Sequence, residues 1–203
     1  MGNPNFSHVP QLTVHNLSAK DIESADLREL LAELLLRGGD STYVEVKTAA
    51  EGLLESLPES LCAFANMPEG GTVILDVNES DGFVIDGVSN PAEIEAGIAS
   101  QARNAIEPSL HIETSTLKIA DKFVVVAKVH GLPLMDKPAR YRGEAYLRMA
   151  DGDYRMKSSE LRMLEVAKLH AEEAVAYDSH AVEGTSIEDL DQNLLESFCR
   201  KYV

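Results

Sequence analysis

Two periodicities of hydrophobic and polar positions take turns along the chain, and the switches between them mark out its elements. Leu27, Leu30, Leu31, Leu34 and Leu35 recur at spacings of three and four, which is one face of a helix. Asp21, Glu23 and Asp26 lie at its front, where the helix dipole favours acids, and Gly38-Gly39 ends it. Over 43–47 the period drops to two, with Val44 and Val46 facing one way and Tyr43, Glu45 and Lys47 the other. A second helix is predicted from about Pro58, which suits a first turn, to Asn66, with Ser56 as a candidate cap. Pro68 disfavours helical geometry at the residue before it, and Gly70-Gly71 turns the chain into the apolar run 72–75. That run has no polar alternation and reads as a strand buried on both faces.

Beyond it, 79–82 reads as a turn and 83–85 as a short strand returning on 72–77. Asn90-Pro91 opens a helix over about 91–106 with Ile94, Ala96, Ile98, Ala99 and Ala102 as apolar positions, and Pro108 closes it. Two strands follow, 111–114 and 118–129, with Asp121-Lys122 marking the hairpin; Phe123 to Ala127 is apolar enough to be central. Residues 131–141 read as a loop, 144–149 as a strand, and 151–153 as a turn; Ser158 is a candidate cap for a helix through about Glu173. The expected architecture is α/β (α+β), a mixed, largely antiparallel sheet flanked by helices. Residues 1–17 form an arm, 18–175 the domain, and 176–203 a linker and the start of a following region. The short helix predicted over 194–202 carries Leu194, Leu195 and Phe198, which need a partner surface. The expectation is therefore the amino-terminal part of a longer protein.

Charge narrows the partners. The 34 acids against 18 bases leave a net charge of −16, which repels polyanions at long range and argues against tight non-specific DNA binding. The amino terminus lacks the basic and apolar regions of a secretion signal, and no apolar run is long enough to span a membrane, so a cytoplasmic protein with no membrane partner is expected. Cys62 and Cys199 lie far apart and the six histidines are scattered without paired spacing, which predicts no zinc site. Without a GK[ST] sequence there is no Walker-type ATP site, and no cofactor is expected.

Two groups of residues carry candidate chemistry. Strand alternation puts Glu45 and Lys47 on one face roughly 6.5–7 Å apart, and Asp40 can bring a second carboxylate to the same end. The plainer reading is a solvated strand face with an incidental ion pair. The second group is basic: Lys137, Arg140, Arg142, Arg148, Arg155, Lys157 and Arg162, interleaved with Tyr141, Tyr146 and Tyr154. Arginines and aromatics on one surface suit a phosphodiester backbone with unstacked bases. The plainer reading is mixed charge balancing itself.

Three spaced motifs carry a family resemblance. The segment AFAN…GG followed by an apolar strand, 63–77, resembles the signature of the Schlafen Alba-type (AlbA_2, "divergent AAA") domain, found at the amino terminus of bacterial transcriptional regulators and RecG-like helicase-related proteins. Asp40 to Lys47 is similar to that family's ExxxxEFK motif, with Asp40 in place of Glu. Tyr146-Leu147-Arg148-Met149 followed by Ser158-Ser159-Glu160-Leu161 resembles its closing segment. Asp76 stands where the family usually has glycine.

The resemblance implies two functions. One is a nucleic-acid-binding (DNA or RNA) module at the front of a larger transcriptional regulator; the basic residues of this chain, Lys47, Lys137, Arg140, Arg142, Arg148 and Arg155, are then the candidate contacts, and the carboxy-terminal region of the same protein, or a second copy, further partners. The other is a ribonuclease dependent on Mg²⁺ or Mn²⁺, whose acids carry over to Asp40, Glu45 and Glu79, or Asn78 beside it. A protein-interaction module without nucleic-acid binding is a third reading. The neutral Asn78 and the acidic composition favour the binding module.

Overall fold

Leu27, Leu30, Leu31 and Leu34 of the first helical pattern and the valines of the first strand meet on one side of a four-stranded sheet, while Leu35, expected on the same face, is exposed. The computed structural model describes residues 17–48, 55–150, 152–179, 191 and 193. The predicted arm before Leu17, the linker over 180–186 and the helix over 194–202 lie outside the described residues. Helix α1 (Ser24–Arg37) starts where the Asp26 carboxylate accepts the Glu23 N–H at 2.8 Å, and ends at Gly38 in the left-handed conformation. Strand β1 (Val44–Lys47) follows, then helix α2 (Leu57–Asn66) and strand β2 (Gly71–Leu75). After these come β3 (Val77–Asn78), β4 (Val84–Ile85), helix α3 (Pro91–Asn104) and β5 (Ile106–Glu107). Strands β6 (Ile112–Ile119), β7 (Lys122–Val129), β8 (Arg140–Tyr141), β9 (Tyr146–Met149) and β10 (Gly152–Arg155) precede helix α4 (Ser158–Ser179).

The main sheet has the order β1-β2-β7-β6; β1 and β2 run parallel and the other neighbours antiparallel. It is the expected mixed, mostly antiparallel sheet. Alternation sorts its side chains into two cores. Ile74, Val124 and Val126 point with Val44 and Val46 toward the α1 leucines. Val73, Leu75, Val125, Ala127 and Val129 point toward α2 and α3, against Leu61, Phe64 and Ile98. Complete burial of a side chain such as Phe64 contributes about 1.5–3 kcal/mol.

The double glycine between α2 and β2 is a packing requirement. A Cβ on Gly70, at φ +74°, would meet the Val129 carbonyl oxygen at 2.0 Å, and one on Gly71 would meet the Phe64 ring at 2.0 Å. Helix and strand approach this closely only without side chains there. Asp76 has φ +75°, the conformation that glycine adopts freely.

Several local expectations change. Ile85 pairs with Val77, the last residue of the expected partner 72–77, and Val84 with Asn78 beyond it, so the contact is with β3 and not with β2. The third helix stops at Asn104, because Ile106 and Glu107 pair with Tyr141 and Arg140 inside the predicted loop. Gly152 belongs to a strand, not to a turn, and forms the β9–β10 hairpin. Ser56 makes no side-chain cap, and its hydroxyl accepts from Lys47 Nζ at 3.4 Å. The last helix is capped from Lys157, whose N–H is accepted by Glu160 three residues on. Contacts divide the chain into Met1–Leu164 and Glu165–Val203. The sheet and the site described below lie in the first unit. The described part of the second is the remainder of α4, with Asp191 and Asn193. Among the described residues no helix is long and apolar enough to cross a membrane.

Candidate functional site

Because Val44 and Val46 are committed to the α1 core, Glu45 must point the other way, toward α2 and β9. There it is buried, 6% exposed, and its Oε1 accepts an ion pair from Lys47 Nζ at 2.6 Å. The solvated strand face expected here is absent, because α2 and the β9–β10 hairpin cover it.

Arg148 on β9 closes the site from the opposite side. Its side chain is 1% exposed. One guanidinium nitrogen, Nη1, lies 3.3 Å from Glu45 Oε2 and 3.2 Å from Asp153 Oδ1; the other, Nη2, lies 3.4 Å from Asp40 Oδ2. Nε donates to the Ser41 carbonyl at 3.3 Å, and the group stands 5.4 Å from the centre of the Phe64 ring. Asp153 is held in turn by the Ser60 hydroxyl of α2 at 2.7 Å. Arginine suits this burial because its charge is delocalised, weakly hydrated and spread over five donors. Desolvating such ions costs several kcal/mol each, offset by their ion pairs and hydrogen bonds, and Glu45 Oε2 has the ion pair with Arg148 but no hydrogen bond.

Asp40 is the exception in charge. Its Oδ1 accepts the Val46 N–H at 3.0 Å, while burial, and after it the nearby Glu79, push its pKa up to about 7 against the pull of Arg148. Glu79 Oε1 in turn accepts the Asp40 N–H at 3.3 Å. The fold thus brings Asp40, Glu45 and Glu79 into one neighbourhood. It does not converge their oxygens: among the described residues, the one trio of potential ligands with donor atoms within 4.8 Å of one another is His111, Glu113 and His130. Arg148 bridges Asp40 and Glu45, so a side-chain cation already fills the place a shared divalent ion would take. The acids as arranged fit a guanidinium and not the Mg²⁺ or Mn²⁺ that the family resemblance implies.

The basic residues do not form one surface. Arg148 serves the buried acids. Lys137 is also buried, donating to the carbonyls of Asn66 at 2.8 Å and Met67 at 3.1 Å, so it caps the carboxy end of α2, and burial lowers its pKa. Lys47 pairs with Glu45. Arg140 donates to the Gly143 carbonyl at 3.0 Å, and exposed Arg142 stacks 5.0 Å over Tyr141. Arg155, Lys157 and Arg162 are exposed, and Arg155 bonds the Tyr146 hydroxyl.

Beside the β9–β10 hairpin Arg155 and Lys157 border a cleft of about 490 Å³, together with Leu147, Met149, Ala150, Tyr154 and the acidic Glu160. Met149 and Tyr154 are half exposed, at 53% and 54%. Sequence reasoning named Tyr154 but missed Asp153, Ser60 and Asn66. Asn66 donates from Nδ2 to the carbonyls of Ala139 at 3.0 Å and Tyr146 at 2.8 Å, and its Oδ1 accepts the Ala139 N–H at 2.7 Å. Its place at the end of the AFAN segment was the one available signal.

Residues 40–157 match the model of the family described as Schlafen, AlbA_2. The chain is similar to the N-terminal domain of a RecG-related protein from Nitrosomonas europaea, with a TM-score of 0.49 and 25% identity over 64% of this chain and 92% of that one. It is also similar to the DIP2311 protein from Corynebacterium diphtheriae, with a TM-score of 0.45 and 15% identity over 64% of this chain and 30% of that one. No curated protein matches it.

Proposed function

This chain belongs to the Schlafen AlbA_2 family, and we propose that it acts as a nucleic-acid-binding module of a larger regulatory protein, gripping single-stranded DNA or RNA at the β9–β10 hairpin. The observation that carries this reading is the cleft in which half-exposed Tyr154 and Met149 lie beside Arg155 and Lys157, with one acid, Glu160, turned to the Lys157 N–H. An aromatic face next to two cations suits one unstacked base and its flanking phosphates. The contacts are Arg155 and Lys157, with Arg140 and Arg142 as outlying phosphate partners; Arg148, Lys137 and Lys47 support the scaffold. The net charge of −16 keeps the interaction short-ranged and weak.

Fluorescence anisotropy with labelled single strands over a salt series tests it. Each phosphate contact adds about −0.7 to the log–log slope, and Arg155→Ala should remove about one contact's worth. Tyr154→Ala should cost about 1–3 kcal/mol by loss of stacking. Absence of binding at low salt, or binding indifferent to Tyr154→Ala, overturns the proposal. Cleavage of the strand on adding Mn²⁺, lost in Glu45→Gln, would return the acids to an enzymatic role.

A further inference from the structure

The antiparallel register of β6 and β7 pairs Ile112 with Val129. The next residues outward, His111 and His130, therefore arrive side by side at one end of the sheet, and Glu113 returns to the face of His111 two residues on. The two imidazole rings stack with centroids 5.7 Å apart. His130 Nε2 lies 2.9 Å from Glu113 Oε1, and donor atoms from all three residues fall within 4.8 Å of one another. The second Glu113 oxygen accepts the Ser18 hydroxyl. Both histidines are exposed and Glu113 is half-buried.

We propose that His111, Glu113 and His130 form a binding site for a first-row divalent metal ion, with Zn²⁺ as the best-suited occupant, separate from the acids around Arg148. Two imidazoles and one carboxylate match the donor set of zinc sites that keep an open coordination position, and nitrogen ligands disfavour Mg²⁺ and Ca²⁺. Bond lengths of about 2.0–2.2 Å require ligand atoms about 3.3 Å apart. The donor atoms now lie within 4.8 Å of one another, and both histidine side chains are exposed, so the remaining closure falls to their rings. The ion replaces the hydrogen bond between His130 and Glu113, with His130 passing to its Nδ1-protonated tautomer.

Ser18 acts as an outer partner, fixing the carboxylate while leaving one oxygen for the metal. Lys128, opposite Glu113 in the register, adds a positive charge that the ion must outcompete, which tempers affinity. His111 also lines a cleft of about 330 Å³ with Arg103 and Ser109, so the open position suits water or a small anion. Loading the site would fasten the segment ahead of α1 to the edge strand β6.

The untagged chain is titrated with Co²⁺, whose visible absorption reports ligand number and geometry, and then with Zn²⁺ in competition. One equivalent should bind with the intense band of a low-coordinate site. His111→Ala and His130→Ala should each abolish that band, and Ser18→Ala should weaken binding about tenfold. Zn²⁺ should raise the melting temperature of the wild type and leave that of the double histidine variant unchanged. The variants replace exposed side chains, and an unchanged metal-free melting temperature verifies their fold. A spectrum that stays that of hydrated Co²⁺ overturns the proposal. So does binding that survives the double variant, which would assign the ion to His8, His15, His170 or His180.

Discussion

Arg148 Nη2 stands 3.4 Å from Asp40 Oδ2, although 108 residues separate them in the chain. The contact joins the first and last of the three family motifs, and Phe64 of the middle motif supplies the ring beneath the guanidinium. Removing the arginine leaves Glu45 and Asp153 buried without it. Arg148→Met should therefore destabilise the domain by about 3–5 kcal/mol in denaturant titration, as expected for a broken buried ion network. Arg148→Lys should recover only part of that, because an ammonium cannot reach all three acids at once. A variant with full stability and impaired nucleic-acid binding would instead make Arg148 a ligand contact.

Asp40 gives the domain a pH dependence of known sign. Its carboxyl is raised from 3.8 in the unfolded chain to about 7 in the fold, so the folded state holds this proton more tightly. Below the unfolded value both states are protonated and nothing is lost. As pH rises through the window between the two values, the unfolded state sheds its proton while the folded state keeps it, and stability falls. Above about 7 the loss is complete. Asp40→Asn should flatten the plot of melting temperature against pH across that window, whatever its uniform effect on stability. Equal slopes for variant and wild type would place the titration elsewhere.

The parts of the fold legible in the sequence are those with a sustained period. The leucines of α1, the alternation of β1 and the apolar run into β2 needed only local information. The face that Glu45 takes was legible too, but its burial was not, because it depends on α2 and on a hairpin about a hundred residues later. Arg148 and Lys137 looked like members of a surface cluster because charge composition cannot report what lies opposite. Strands of two residues, such as β5 and β8, are too short to show a period. His111 and His130 share no sequence spacing and meet only through the register of β6 with β7.

Asn66 ends the AFAN segment, and the structure gives its amide a full set of partners. Its side chain is buried and joins α2 to the backbone at Ala139 and Tyr146, the chain entering β9. An amide is required, since one end must accept an N–H while the other donates to two carbonyls. Asn66→Leu keeps the approximate volume but leaves the Ala139 N–H and the Tyr146 carbonyl without this partner. Unsatisfied buried groups cost about 1–3 kcal/mol each, so a loss of about 2–4 kcal/mol is expected. Asn66→Asp should be no better near neutral pH, because a carboxylate would face both carbonyl oxygens. The damage should also be local. Amide exchange should accelerate around Ala139 and through the β9–β10 hairpin well before it does in β6 and β7, whose cross-strand bonds do not involve Asn66. Uniform acceleration across the domain would mean that Asn66 supports the whole core, and unchanged exchange in the hairpin would mean that α2 and the hairpin are held by their other contacts, such as Ser60 with Asp153 and Glu59 with Tyr146.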